Sequence, residues 1–339
     1  MSAPHHPFAP FLRVIGRGPS LSRPLTREEA REAMHLILDG RTEGVQVGAF
    51  LLVLRYRGET AEELAGMLAA ARERFAAEAP AGQVDLDWPS YADRHRQQPW
   101  FTLAALLLAE NGVRVLMHGI AGYAEGFAPT RPVLQALGIR PAGSLAEAAA
   151  RVAEDNFAYS GLEQFCAPLD RLFDLRPLLG VRSAVNTLAR ALNPLAAPAQ
   201  IQGVFHPPYR ALHRDVALLE GQPRATIFKG GGGEVQRNPL KPCRVVRIGD
   251  GAAREETWPA LRPDDAYRWR EEPLDPARVA ALWRGELALP APEAAITGTV
   301  ALALSLLGRA GDMDDAQAQA EAMWRARPRE KFGGAAAAQ

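Results

Sequence analysis

Residues 85–119 read DLDWPSYADRHRQQPWFTLAALLLAENGVRVLMHG, the order of a phosphate-binding βα unit with the wrong turn in it. A short extended segment leads into the turn. Residues 100–111 then have the length and apolar content of a buried helix stopped by Gly112, and 113–117 those of a buried strand. Such units place glycines in the turn, so that backbone amides and the helix N-terminus close on an anion. Here the turn is Tyr91-Ala92-Asp93-Arg94-His95-Arg96, and no glycine lies between Gly82 and Gly112. Close backbone approach to a small phosphate is sterically disfavoured, while long cationic side chains and one aromatic project from the same place. Arginines at a helix start oppose the macrodipole unless an anion is present. The alternative is Asp93 as a plain N-cap with Arg94 and Arg96 solvated.

Around this unit the pattern is helical first and mixed afterwards. Thr26-Arg27-Glu28-Glu29 and Thr60-Ala61-Glu62-Glu63 are capping boxes that open helices ending near Gly40 and Glu78, with a further helix over 45–57. Leu64, Met67, Leu68, Ala71 and Phe75 form one apolar stripe on the last of these. Beyond a Pro80-Ala81-Gly82 linker, short apolar runs alternate with amphipathic helices over 113–117, 131–137 and 146–153. Helical character returns over 178–192 and ends at Asn193-Pro194. Strands are expected at 200–205, 225–229 and 245–248, and helices at 278–283, 294–307 and 314–325. The predicted fold is α/β, a small all-helical N-terminal domain hinged to a large α/β domain with a mainly parallel central sheet. The helical domain takes 1–80, with 160–192 packing on it, and the α/β domain takes 81–159 and 193–339; a chain of 339 residues suits two such units.

Formal net charge is zero, so a polyanionic partner must meet a local patch. One exists: 224–247 carries Arg224, Lys229, Arg237, Lys241, Arg244 and Arg247 against the single acid Glu234. The following 250–275 carries eight acids against four bases, so charge is segregated along the chain. Pairing of the two segments after folding is the competing account. Arg13, Arg17 and Arg23 precede every acid in the sequence and make an N-terminal arm suited to phosphate contacts. Cys166 and Cys243 stand apart without metal-ligand spacing, so no metal site is assigned, and the 294–307 run is too short to span a bilayer. A cytoplasmic protein with no membrane partner is expected. His118-Gly119 ends a strand where a cleft would lie, Gly230 and Gly231 belong to a four-glycine run suited to an anion nest or a hairpin tip, and Tyr91, Trp88 and Trp100 are candidates for base stacking, with core packing favoured for the tryptophans. His206 and His213 lack metal-ligand spacing and are assigned no chemistry.

Four segments in order, the N-terminal LTREEAREAMHLILDGRTEGVQVGAFLLVLRYRGETAEELAGM, VLMHG at 115–119, VLQALGI at 133–139 and LRPLLGVRSAVNTLARALNP at 175–194, resemble the anthranilate phosphoribosyltransferase fold of glycosyl transferase family 3. The resemblance implies diphosphate binding on a glycine-rich loop where this chain has 88–96, and a magnesium-holding acidic pair where it has TIFKGGGGEVQ at 226–236. One carboxylate beside a lysine is a poor magnesium-diphosphate site. The DWPSYA, PWF and LLAENGVRVLMHG blocks and the later Arg-Asn-Pro-Leu-Lys-Pro resemble the YbiB-type DNA-binding branch of that fold. That resemblance implies a homodimer that binds single- and double-stranded nucleic acid with little sequence preference and without phosphoribosyl transfer, and the helical domain is the expected dimer contact. The expected interface is Tyr91, Arg94, His95, Arg96, Lys229, Arg237, Lys241 and Arg244, with His118, Gly119, Gly230 and Gly231 lining the cleft. No catalytic residue and no cofactor is assigned. The alternative is a phosphoribosyltransferase or glycosyl transferase with an altered donor site.

Overall fold

Elements form where local capping and burial agree. The computed structural model describes residues 5–18, 20–80, 84–92, 96–122 and 125–333. Helix α1 (Ala9–Gly16), started by Pro10, buries Phe11 and Ile15. It occupies what the sequence suggests is a loose arm, and Arg23 of that arm is paired with Glu29 at 2.6 Å. Both capping boxes are present, opening α2 (Arg27–Leu38) and α4 (Ala61–Glu73) on either side of α3 (Gly44–Arg57).

The remaining strands and helices alternate. Strand β1 (Leu86–Ser90), α5 (Phe101–Glu110), β2 (Val115–Gly119), α6 (Thr130–Ala136), α7 (Leu145–Asp155) and β3 (Phe157–Gly161) come first. Four short helices follow, α8 (Leu162–Phe165), α9 (Ala167–Asp170), α10 (Arg176–Leu179) and α11 (Ala184–Ala189), with a 3-10 turn at Arg171–Leu175. The single helix expected over 178–192 is broken because Gly180 adopts a left-handed φ of 71° and Ser183 caps a new start. Then come β4 (Ala199–Val204), α12 (Tyr209–Leu219), β5 (Arg224–Lys229), β6 (Cys243–Gly249), β7 (Ala252–Trp258), α13 (Pro276–Arg284), α14 (Pro290–Leu307) and α15 (Met313–Ala326). Strands β3 and β7 carry no sequence signal strong enough to announce them. Helix α14 runs 18 residues, long and apolar enough to cross a bilayer, contrary to the shorter run read from sequence; it is a core helix packed against α5, α15, β4 and β5.

Among the described residues, seven strands are ordered β3-β2-β1-β4-β5-β6-β7, parallel through β5 and antiparallel for β6 and β7. The α/β architecture with a helical N-terminal domain and a mainly parallel sheet is thus as expected. Strand alternation divides the two faces. Leu86, Trp88, Val115, Met117, Ala199 and Ile201 join the apolar core under α5, α6, α13, α14 and α15. The other face turns toward the helical domain, whose core continues without interruption through Phe165, Leu169, Phe173, Ala184 and Leu188. On that face the same three central strands bury Asp87, His118, Gln200 and Gln202.

Candidate functional site

In an open parallel sheet the ligand crevice lies beyond the carboxyl ends of the strands where their order reverses, here between β1 and β4. On the β1 side, that crevice is filled by the protein's own oxygens. Ala92 N donates to Glu234 Oε1 at 2.6 Å, Gln98 N to Glu272 Oε1 at 2.7 Å, and Phe101 N, at the start of α5, to Gln236 Oε1 at 3.1 Å. These are the kinds of amide that a phosphate-binding unit leaves open for its ligand. Glu234 is wholly buried, and burial raises its carboxyl to about 7 against the opposing pull of Arg190 and the Ala92 amide. Burial also raises Glu272, whose bonds from Tyr267, Gln98 and Trp100 act the other way. The space left beside Glu234, bounded by Ser90, Ala92, Ile120 and Thr130, is about 20 Å³, enough for roughly one water.

The glycine run causes this closure. Gly230 N bonds Val204 O, Gly231 N bonds Gln236 O, and Gly233 N bonds Gly230 O, so these amides do not form an open nest. A Cβ on Gly203 or Gly230 would collide with the Glu234 carbonyl, which shows how tightly the segment lies across the strand ends. Gly230 and Gly231 therefore close the crevice instead of offering an anion site. Glu234 has one oxygen committed to an amide, and among the described residues no three His, Cys, Asp or Glu side chains gather as metal ligands around it or elsewhere. A magnesium diphosphate does not fit these residues.

Tyr91 is not a stacking surface. It is fully buried, its hydroxyl 2.7 Å from His118 Nδ1 and its ring stacked on Phe173 at 5.9 Å. Burial holds the phenol well above its ordinary value, so Tyr91 stays protonated, and the His118 tautomer sets which of the two donates. His118 Nε2 lies 3.1 Å from Asp87 Oδ1, too poorly aligned for a full hydrogen bond. Gln200 Nε2 donates to Asp87 Oδ2 at 2.7 Å, Gln202 donates to Gln200, and Gln202 Oε1 lies 2.6 Å from His213 Nδ1, which must then be the donor. Burial and Arg190 push His213 down to about 3, so it is neutral. His118 is a member of a buried polar chain that crosses three strands, and Gly119 packs under Ser90, whose carbonyl a Cβ there would strike. Neither presents an open cleft wall.

The basic segment divides. Arg237 is buried, donating to Pro259 O with its guanidinium 5.3 Å from the Trp258 ring, so it is unavailable to a phosphate. Arg224 donates to Leu307 O at 3.1 Å, and Arg247 is bonded to Ser305 and lies 3.6 Å from Glu256, its only link to the acidic segment among the described residues. Lys229, Lys241 and Arg244 are exposed and make no side-chain hydrogen bond or ion pair among the described residues. Strand pairing brings two of them together: β6 runs antiparallel to β5 with Val245 opposite Phe228, so Arg244 adjoins Lys229 at the crevice edge. Arg96 is exposed in the loop five residues ahead of α5, its guanidinium 5.2 Å from the Phe127 ring; the macrodipole argument does not apply to it. Arg94 and His95 lie outside the described residues.

Sequence reasoning missed the other half of this edge. Phe205 and His206 follow β4 directly; the Phe205 ring is 42% exposed, with the His206 ring 4.7 Å away and the Arg182 guanidinium 5.8 Å from its centroid. Arg210, opening α12, donates to Arg244 O at 3.1 Å. The signal was available, since in a parallel sheet the residues just after β4 share an edge with those after β1.

Comparison with known proteins fits this geometry to a scaffold. Residues 9–75 match the glycosyl transferase family helical bundle domain. Anthranilate phosphoribosyltransferase of Methylocella silvestris is 31% identical over 313 residues, covering 90% of this chain and 87% of the relative. The protein YbiB of Escherichia coli K12, itself uncharacterized, is 29% identical over 249 residues, 71% of this chain and 75% of its own. Among solved structures, anthranilate phosphoribosyltransferase from Thermus thermophilus has a TM-score of 0.74 at 25% identity, covering 89% of this chain and 92% of its own. The Saccharomyces cerevisiae enzyme in complex with PRPP and Mg shares the fold, with a TM-score of 0.76 at 16% identity over 94% of this chain and 93% of its own.

Proposed function

The chain belongs to the anthranilate phosphoribosyltransferase family, and from that premise we propose that it uses the family's scaffold to bind nucleic acid through the phosphate backbone, as a cytoplasmic homodimer without transferase chemistry. The reading rests on a contrast along one sheet edge. Amides beside β1 are taken by Glu234, Glu272 and Gln236. Beside β5 and β6, Lys229, Lys241 and Arg244 are exposed with no partner among the described residues. Unpaired cations cost little in water and gain most where they displace counterions from a polyanion. Phe205, with Arg182 and His206 around its ring, offers the aromatic face that Tyr91 does not.

Dimerisation through the helical domain has support in α3, where Val45, Leu52 and Tyr56 recur at helical spacing and are 79%, 47% and 92% exposed. Leu178, 81% exposed, lies on α10, which packs against α3 at Gly48. An apolar stripe of this kind marks an interaction surface. A salt titration with single-stranded and duplex DNA tests the proposal. Affinity should fall by about 0.7–0.9 log units per phosphate contact for each log unit of salt. Binding that ignores ionic strength, or consumption of PRPP with an aromatic amine, would overturn it in favour of a transferase with an altered donor site.

A further inference from the structure

On the β4 side of the crevice, a separate pocket of about 60 Å³ is lined by Arg55, Arg182, Arg190, His206 and Tyr209. No acid among the described residues lines it; Glu59 sits behind Thr187, accepting from its hydroxyl at 3.0 Å. Arg190 is itself buried, held by bonds to the carbonyls of Asn186, Gly203 and Gly233. Arg55 donates to the Tyr209 hydroxyl. One lining residue holds a donor without an acceptor: Asn186 is 7% exposed, and its buried Nδ2 has no hydrogen-bond partner among the described residues. A buried N–H left unpaired costs on the order of 1–3 kcal/mol, so an acceptor entering the pocket gains that donor together with the guanidinium charges.

Volume decides which acceptor. A cavity that takes benzene measures about 150 Å³, more than twice the space here. An aromatic ring is excluded, and one tetrahedral oxyanion fits. Phe205 stands at the rim, so a base attached to that oxyanion would rest outside the pocket on the Phe205 face. We propose that this pocket seats the terminal phosphomonoester of a nucleotide, with Asn186 and the arginines gripping the phosphate and Phe205 stacking its base. The phosphate belongs to a phosphorylated strand end or a free mononucleotide, which share this chemistry. The strand-end form rests on the nucleic-acid reading above, whereas the mononucleotide form does not.

The test compares oligonucleotides of one sequence carrying a 5′-phosphate, a 3′-phosphate or hydroxyl ends only, with a nucleoside monophosphate as competitor. One phosphorylated form should bind about 10-fold more tightly than the hydroxyl form, the worth of a single charge-assisted hydrogen bond. That ratio should fall to about one in Asn186→Asp and in the milder Arg55→Gln, each first checked for an unchanged melting temperature; retention of the ratio in both overturns the assignment. Equal affinity of all strands with no competition by the mononucleotide also overturns it, while leaving salt-dependent polymer binding intact. Mononucleotide binding without strand binding supports the pocket and removes the polymer reading.

Discussion

The two sides of the crevice carry opposite chemistry. Beside β1, carboxyl and amide oxygens point inward onto backbone amides, leaving about 20 Å³ beside Glu234. Beside β4 and β5, guanidinium and ammonium groups point outward or into a pocket of about 60 Å³ without a carboxylate. The lesson is that a turn of this kind without glycines still carries amides that need an acceptor. The amides remain, and unless something accepts from them the loop is destabilised. This chain satisfies them internally and leaves the adjacent edge cationic.

The contrast breaks most plainly under charge reversal. Lys229→Glu, Lys241→Glu and Arg244→Glu together should weaken strand binding by about 100-fold or more at low salt and cut the slope of log K against log salt by about 2–3. Fluorescence anisotropy at several ionic strengths reads both, and an unchanged slope would remove this edge from the interface. Phe205→Ala should cost single strands about 1–3 kcal/mol, roughly 5- to 150-fold, and duplexes much less. Equal loss for both would mean that the ring positions the loop and does not stack.

The β1 side is tested through stability. Burial raises Glu234 to about 7, above its unfolded value near 4.5, so the folded state holds the proton more tightly over that window. Its stabilising contribution is present below pH 4.5 and is lost as pH rises through 7. Glu234→Gln should therefore leave stability near pH 4.5 almost unchanged and raise it at about pH 8 by on the order of 2 kcal/mol. Denaturant melts at both pH values measure this, and an equal effect at both would show the carboxyl titrating normally. Tyr91→Phe, the smallest change, should cost about 1 kcal/mol of stability through the lost bond to His118 and leave strand affinity as it was. A fall in affinity would return Tyr91 to the interface.

Much of the scaffold was legible because local chemistry and burial agree in it. Both threonine capping boxes, the apolar α5 and the buried strand β2 follow from residues adjacent in sequence. Elements whose signals were weak were missed: β3 is only FAYSG, and β7 is mostly exposed and charged. The site was read less well, since composition tells which groups are present and not which way they face. Arg237 sits in a basic run yet turns inward to Trp258, while Lys229 and Arg244, from the same run, are exposed at the end of β5 and the start of β6. Glu234 reads in sequence as a lone carboxylate beside a lysine, and only its contact with Ala92, 142 positions away, reveals it as a stopper.

Gly203 and Gly230 leave no clearance above the Glu234 carbonyl. One added methyl at either position would act as a wedge, lifting the whole tetraglycine strap off the strand ends and drawing Glu234 out of its socket. How deeply the stopper is seated is thus set by two missing side chains, and an alanine at either place would be the least invasive way to uncork the strand ends without altering the carboxyl group that plugs them.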